Sequence, residues 1–517
     1  MDGKPRVGAR WIAGLAMAAQ VGLGGCDLAP EYRPPDYVLP ANYQGSGPFT
    51  VAHPLDTLPR GPWWESFNDA LLNQLEQQLV SENPDLAAMA EQYTQARDLA
   101  AEARAGLFPQ VGVSGVLSEN KQSKNRLFRN PNSASLLVES DAEVLAAASW
   151  EPDFWSEIRN RTRMQKRLAQ SSAASLAAAR LSLQAELAID YVALRGLDTQ
   201  EAIYRAAIVQ YEQAVTITMQ RLQGRIASAL DVARSRGQLA TAQASESSVL
   251  ASRAVLQHAI AVLVGVNPSS FSIPVEAAAP LTTPVIPVGI PSELLQRRPD
   301  VAGAERQMAS ANAAIGVSRA AFYPNITISL SGGFQDQGFH LFSLPNSLWS
   351  IGASAMLPLF EGGLRRAELQ RSWSQYAQAR DSYRSTVLSA FQEVEDGLAL
   401  TAHLQQQVQQ QSEAVAEAHK AETLAMQLYV GGLTTYLDVV VAQETELTAR
   451  TAEAQTRVSR LQATVGLIRA LGGGWSIADL PTEQAVLPFG PLDFTDSDHQ
   501  PRPDGSGVGT EQASRPP

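Results

Sequence analysis

Pro299-Asp300-Val301-Ala302, running on to Phe322-Tyr323-Pro324, has a counterpart in Pro84-Asp85-Leu86-Ala87, running on to Leu107-Phe108-Pro109, and both ends of the match lie 215 residues apart. Further along, Pro358 and Phe360 follow Pro152 and Phe154 by 206 residues, and Glu393 follows Glu186 by 207. Gly431, Leu437, Asp438, Val439 and Gly472 follow Gly224, Leu230, Asp231, Val232 and Gly265 at the same 207. The chain is an internal duplication. Its first copy carries about nine extra residues between Pro109 and Pro152, as a loop insertion does.

Proline placement marks the elements. The chain has 30 prolines, yet none falls from Asp153 to Asn267 or from Leu359 to Leu480, and both stretches are rich in Ala, Gln, Leu, Glu and Arg, which favour helix. Tyr376, Tyr383, Val387, Phe391, Val394 and Leu398 recur at the spacing of a helix packed along a neighbour. Ser156 to Gln223 predicts a helix of about 68 residues, on the order of 100 Å long and far beyond a globular helix. Such a helix must be a stave of a long bundle. The chain then returns to Gly265, passes a Pro-rich segment and resumes from Asp300 to Ala321, so two shorter helices end to end are expected to answer one long stave. In the second copy Glu361 to Val430 is the stave, Thr435 to Leu471 returns, and Asp85 to Gly106 is expected to complete that column.

Between each short helix and the following stave the period changes to two. Ile326, Ile328 and Leu330 alternate with Asn325, Thr327, Ser329 and Ser331, and Trp349, Ile351, Ala353 and Ala355 alternate with Ser350, Gly352 and Ser354. The first copy has Val111 and Val113 against Gly112 and Ser114, with a weakly patterned partner from Ala142 to Trp150 assigned through the duplication. Four strands of about ten residues would each cross an outer membrane when tilted. Four strands cannot close a barrel, and open edges are not tolerated in lipid. Three copies would supply twelve strands, an even number within the known range, so a homotrimer is predicted.

The N-terminus carries Lys4, Arg6 and Arg10, an apolar run from Trp11 to Leu23, then Gly24, Gly25 and the single cysteine, Cys26. This is a secretion signal, too short to span a bilayer. Leu23-Gly24-Gly25-Cys26 resembles the bacterial lipobox, in which the cysteine is acylated and becomes the new N-terminus. One cysteine leaves neither a disulfide nor a thiolate metal cluster. A net charge of -12 disfavours nucleic acid as a partner.

With these pieces in order on a duplicated frame, the sequence resembles the outer-membrane efflux protein family, the TolC-like channels, and within it the lipoprotein branch serving resistance-nodulation-division pumps. The matching pieces are Cys26 with Pro30-Glu31-Tyr32-Arg33-Pro34-Pro35, Trp63-Trp64 with Phe67-Asn68-Asp69, Arg298-Pro299-Asp300-Val301 and Phe322-Tyr323-Pro324. Pro358-Leu359-Phe360-Glu361-Gly362-Gly363 and Gly431-Gly432-Leu433-Thr434-Thr435-Tyr436-Leu437-Asp438-Val439 complete the set, which spans Cys26 to Trp475. The resemblance implies a mainly α chain contributing to a trimeric twelve-stranded β-barrel, continued by a long periplasmic α-helical barrel with a mixed equatorial domain. It implies a passive conduit in the cell outer membrane, a periplasmic adaptor and an inner-membrane pump as partners, no catalysis, and no cofactor beyond the covalent lipid on Cys26.

The expected partition is a signal peptide at 1–25, a lipidated N-terminal segment and equatorial part at 26–83, the first repeat at 84–267 and an equatorial linker at 268–298. The second repeat at 299–472, an equatorial C-terminal part at 473–495 and a disordered tail at 496–517 follow. At the membrane-distal tip the turns at Gly224 and at Gly431-Gly432 each lead to a Leu-Asp-Val, placing Asp231 and Asp438 where three copies could ring an aperture. In the family this end is closed at rest, and carboxylates near it constrict the passage and attract cations. A first-turn Asp complementing the helix dipole needs no channel and is the plainer role for both. Some relatives carry a second acidic residue one turn beyond, where this chain has Val441. Lys121, Lys124, Arg126 and Arg129 fall in the long first-hairpin loop, expected to face outside; contact with lipopolysaccharide phosphates is the alternative to the merely solvated loop they read as. Asp27 follows Cys26, a residue that in some enteric bacteria favours retention at the inner membrane. The six histidines show no metal-ligand spacing, and no phosphate loop or nucleophile motif is present. Two other functions compete: a heavy-metal efflux conduit of the same fold, whose pore His or Met cannot be identified here, and a lipid-anchored coiled-coil scaffold without a pore.

Overall fold

The computed structural model describes residues 26–35, 62–121, 123, 138–276, 283–284, 296–338 and 340–492. The expected signal peptide at 1–25, Lys124, Arg126, Arg129, part of the 268–298 linker and the tail at 496–517 lie outside the described residues. The first copy runs α1 (Ala70–Glu82), α2 (Pro84–Ala105), β1 (Gln110–Lys121), β2 (Val138–Trp150), α3 (Glu157–Gln223) and α4 (Ala229–Leu263). The second runs α5 (Pro299–Ala320), β3 (Asn325–Asp336), β4 (Ser347–Met356), α6 (Leu364–Val430) and α7 (Tyr436–Ala470). The staves α3 and α6 have 67 residues each, α4 and α7 have 35, and α2 and α5 have 22. At 1.5 Å per residue the staves reach about 100 Å. The sheet lies at one end of them and the α3–α4 and α6–α7 turns at the other.

Helix packing corrects the expected columns. The helix that continues α4 is α2, not α5: Asn83, the residue that caps α2, donates from Nδ2 to Leu263 O at 2.8 Å while its Oδ1 accepts from Leu86 N at 2.8 Å. The helix that continues α7 is α5, through Arg298 Nη1 donating to Ala470 O at 3.0 Å. In both joints an N-cap residue of one helix satisfies a carbonyl at the C-terminus of the next, and those carbonyls have no partner within their own helix. Glycine makes the approach possible. Gly265 (φ 71°) and Gly472 (φ 94°) lie in the left-handed region, and a Cβ there would sit 2.4 Å from Glu82 O and 2.0 Å from Arg297 O. Chain order does not reveal which helix ends meet, because the joint is formed by backbone groups far apart in sequence.

The main core sits midway along the staves, where the joints are. Trp63, Trp64, Phe67, Leu72, Leu75 and Leu79 from the segment before α2 close over Tyr191 and Leu194 of α3, and Val387, Val394 and Leu398 of α6 join Val465, Leu467 and Ile468 of α7 in the same cluster. Burying a side chain of this size contributes about 1.5–3 kcal/mol. Asp198, fully buried, is held between Arg195 Nη1 at 3.0 Å and Arg253 Nε at 2.6 Å, so α3 and α4 are also joined by a charge-neutralised contact.

Candidate functional site: a two-faced sheet, an anchor strap and two hairpin tips

The four strands form one antiparallel meander, β1-β2-β3-β4, in which β1 pairs only with β2 and β4 only with β3. The outer edges of β1 and β4 therefore present unpaired backbone donors and acceptors. The register sorts the side chains, because directly opposed residues point to the same face. Val111, Ala148, Leu330 and Ile351 form one rung, and Val113, Ala146, Gly332 and Trp349 the next. On the other face lie the rungs Gln110, Ser149, Ser329, Gly352 and Gly112, Ala147, Ser331, Ser350. That second face continues through Glu143, Gln335 and Asp141, with Gln335 Nε2 donating to Asp141 Oδ1 at 3.0 Å, and a shallow concavity is lined largely by its serines and glycines. Val116, Leu145 and Leu348 are apolar exceptions on it. The apolar face is bare: Val111 is 75% exposed, Val113 76% and Trp349 77%. A bare apolar face of that extent is a lipid or partner surface.

Aromatic residues crowd the junction of sheet and helices. Trp155 stacks on Tyr323 with centroids 4.6 Å apart and donates from Nε1 to Pro324 O at 2.9 Å, while Trp150 Nε1 donates to Leu107 O at 3.1 Å. Phe108, Phe322 and Phe360 are exposed at the same level. Such a girdle, with an apolar band on one side, marks a membrane–water boundary.

Cys26 lies at this level. It is exposed, and its carbonyl accepts from Ser156 Oγ at 3.1 Å at the start of α3. From there residues 27–32 run as a strap over α3 and α5: Arg319 Nη1 donates to Leu28 O at 3.0 Å, Asn312 Nδ2 to Pro30 O at 2.8 Å, and Tyr32 Oη to Glu305 Oε1 at 2.5 Å. Asp27 has a structural task here. It accepts from Asn160 Nδ2 at 3.1 Å and pairs with Arg163 at 2.9 Å. Burial pulls its carboxyl up, but the Ala29 amide, Asn160 and Arg163 together hold it below the usual carboxylate value.

Two comparisons decide the family. A profile described as "Outer membrane efflux protein" matches residues 75–266 and again 290–473, once per copy of the duplication. The chain belongs to the outer membrane efflux protein family. It is 30% identical over 468 residues to the toluene efflux pump outer membrane protein TtgC of Pseudomonas putida, covering 90% of this chain and 96% of that one. It is 30% identical over 458 residues to the pyoverdine export outer membrane protein OpmQ of Pseudomonas aeruginosa, covering 88% and 95%. Among solved structures the outer-membrane channel OprN superposes with a TM-score of 0.80 at 28% identity, covering 87% of this chain and all of that one.

At the far end of this efflux protein the two hairpin tips are built alike but not identically. Gly224 and Gly431 both end their staves in right-handed conformation, with φ −73° and −70°. The left-handed position is the next residue, Gly432 (φ 77°) in the second tip but Arg225 (φ 60°) in the first, so Gly224 is not the glycine its turn needs. Asp231 and Ser228 form a reciprocal capping box: Asp231 N donates to Ser228 Oγ at 3.3 Å, and Ser228 N donates to Asp231 Oδ2 at 3.1 Å. Asp438 Oδ2 accepts from Thr434 Oγ1, from Thr435 Oγ1 at 2.8 Å and from Thr435 N at 3.1 Å. The Thr434 hydroxyl, then the Thr435 hydroxyl and amide, hold the Asp438 carboxyl below its ordinary value. Both carboxylates thus cap a helix, and the contacts fall on Oδ2. The tips are tied together by Arg221, which donates from Nη1 to Val430 O at 3.0 Å and lies 4.7 Å above the Tyr429 ring. Tyr429, Tyr436, Val439 and Ala214 form a separate small core beside this tie.

One grouping was not legible in the sequence. Among the described residues His419, Glu422 and Glu446 bring ligand atoms within 4.8 Å of one another, although the histidines show no metal-ligand spacing in sequence. His419 and Glu422 are three residues apart on α6, and Glu446 comes from α7. The His-x-x-Glu step on one helix face was the available signal, but the third member, Glu446, sits across a turn.

Proposed function

We propose that this chain is one of three identical subunits of a lipid-anchored outer-membrane duct, a passive conduit that lets drugs or other small toxic compounds leave the periplasm in a tripartite efflux system. The observation that carries the reading is the sheet. Its four strands have one apolar face, one serine-rich face and two unpaired edges, and in lipid those edges must find strands. Three copies give twelve. Cys26, exposed at the aromatic girdle and strapped to the top of α3, supports acylation there, since acyl chains on it would enter the leaflet at its natural depth. The energy belongs to an adaptor and pump that engage the hairpin tips, and the chain itself catalyses nothing. Asp438, and less centrally Asp231, ring the aperture at those tips. Both are capped through Oδ2, which leaves Oδ1 out of the cap.

The test is single-channel recording of the full-length protein in planar bilayers. Stepwise ion conductance with a preference for cations is expected, reduced in Asp438→Asn. Because its Thr434 and Thr435 contacts hold the folded Asp438 carboxyl below its ordinary value, the share of the preference that Asp438 supplies persists as pH falls towards that value and is lost on further acidification. A protein that inserts yet passes no ions overturns the conduit.

A further inference from the structure

Beneath the second hairpin tip, α6 and α7 bring together a polar cluster that the conduit does not use. Glu446 is 4% exposed and its Oε1 is 2.6 Å from Arg450 Nη2 and 2.8 Å from His419 Nδ1. Glu422, 8% exposed, has one long contact, from Gln443 Nε2 at 3.4 Å. Gln443 is itself only 2% exposed, and its Oε1 has no hydrogen-bond partner. Two buried carboxylates, one of them held by a single long contact, thus lie together with a buried orphan carbonyl oxygen and an imidazole. Buried polar groups in folded proteins are paired, so this set lacks something.

We infer that His419, Glu422 and Glu446, with Gln443 Oε1, form a binding site for a divalent transition cation of the zinc class. An imidazole with carboxylate and amide oxygens is the donor set of a borderline cation. Calcium and magnesium take oxygens alone, and a soft monovalent cation seeks thiolate. Gln443 already points its amide at Glu422, and half a turn about its last bond exchanges Nε2 for Oε1 at that position. His419 is exposed and forms the way in. Arg450, 3.5 Å from His419 Nδ1, leaves Glu446 as the cation arrives and remains as a neighbouring charge. The cation would join α6 to α7 about 18 Å from the Gly431 turn, since 12 residues separate His419 from it. The site is confined to one repeat: 207 residues earlier, Glu212, Val215, Leu239 and Arg236 stand where His419, Glu422, Glu446 and Gln443 stand.

The test uses tag-free, full-length protein in detergent, stripped with a chelator and titrated calorimetrically with zinc chloride and, separately, magnesium chloride. One saturable zinc site per chain is expected, weakened roughly tenfold or more in His419→Gln and in Glu446→Gln, with no comparable magnesium site. Glu417→Gln, on the exposed face of α6, is the control and keeps the affinity. Absence of saturable zinc binding, or unchanged affinity in both variants, overturns the site. Zinc-edge X-ray absorption on the loaded wild-type chain needs no variant: coordination including one imidazole is expected, and oxygen-only coordination overturns the inference. Neither measurement reads conductance, so the outcome is separate from that of the conduit.

Discussion

The two halves of the duplication solve the same backbone problems with different side chains. At the joints, Gly265 and Gly472 both take positive φ against a carbonyl of the segment entering the next helix. Yet the first joint is closed by the neutral amide of Asn83 and the second by the guanidinium of Arg298, which also pairs with Asp300 at 2.7 Å and Glu393 at 2.8 Å. At the tips the left-handed residue is Arg225 in one and Gly432 in the other. Main-chain geometry has little room to vary where helix ends must meet, whereas any donor of the right reach can satisfy the exposed carbonyl.

The joints give the largest expected effects. Gly472→Ala combines a left-handed alanine with a Cβ 2.0 Å from Arg297 O, and it should cost about 3 kcal/mol or more; Gly265→Ala, at 2.4 Å, should cost about 2 kcal/mol. Thermal unfolding of the two variants side by side checks the order. Equal and negligible losses would mean the helix ends do not meet as described.

Next come the donors. Arg298→Ala leaves Asp300 and Glu393 without their cation and Ala470 O without its donor, an expected loss on the order of 3 kcal/mol. Asn83→Ala removes a cap and one neutral bond, about 1–2 kcal/mol. High salt should shrink the Arg298 effect, whose partners are part exposed, and leave the Asn83 effect unchanged. Chemical denaturation at two ionic strengths separates them.

Much of this was legible in the sequence. The repeat offsets, the proline-free stretches and the alternation in β3 and β4 fix a duplicated chain of long staves and hairpins, and the elements fall where those patterns end. The alternation of β2 was weak because Ala146, Ala147 and Ala148 are small on both faces; only pairing with β1 and β3 shows that Ala146 and Ala148 belong to the apolar side. The columns were misassigned for a different reason. Whether α2 or α5 continues α4 is decided by contacts such as Asn83 to Leu263, 180 residues apart, which leave no periodic trace. At the tips, sequence placed Asp231 and Asp438 at helix starts but could not say that both carboxylates close a cap.

The tips carry the smallest effect. Arg225→Gly should stabilise the first tip by up to about 1 kcal/mol by relieving a left-handed side chain, and Gly432→Ala should destabilise the second by about 1 kcal/mol. Hydrogen exchange at the two turns would read opposite shifts. Shifts of the same sign would show that the turns do not differ as their φ angles say.

Everything functional rests on the sheet being an open sector that other copies complete. Native mass spectrometry of the detergent-extracted, full-length protein counts those copies directly. The account predicts a single assembly of three chains; a monomer, or a closed pair contributing eight strands, would contradict it.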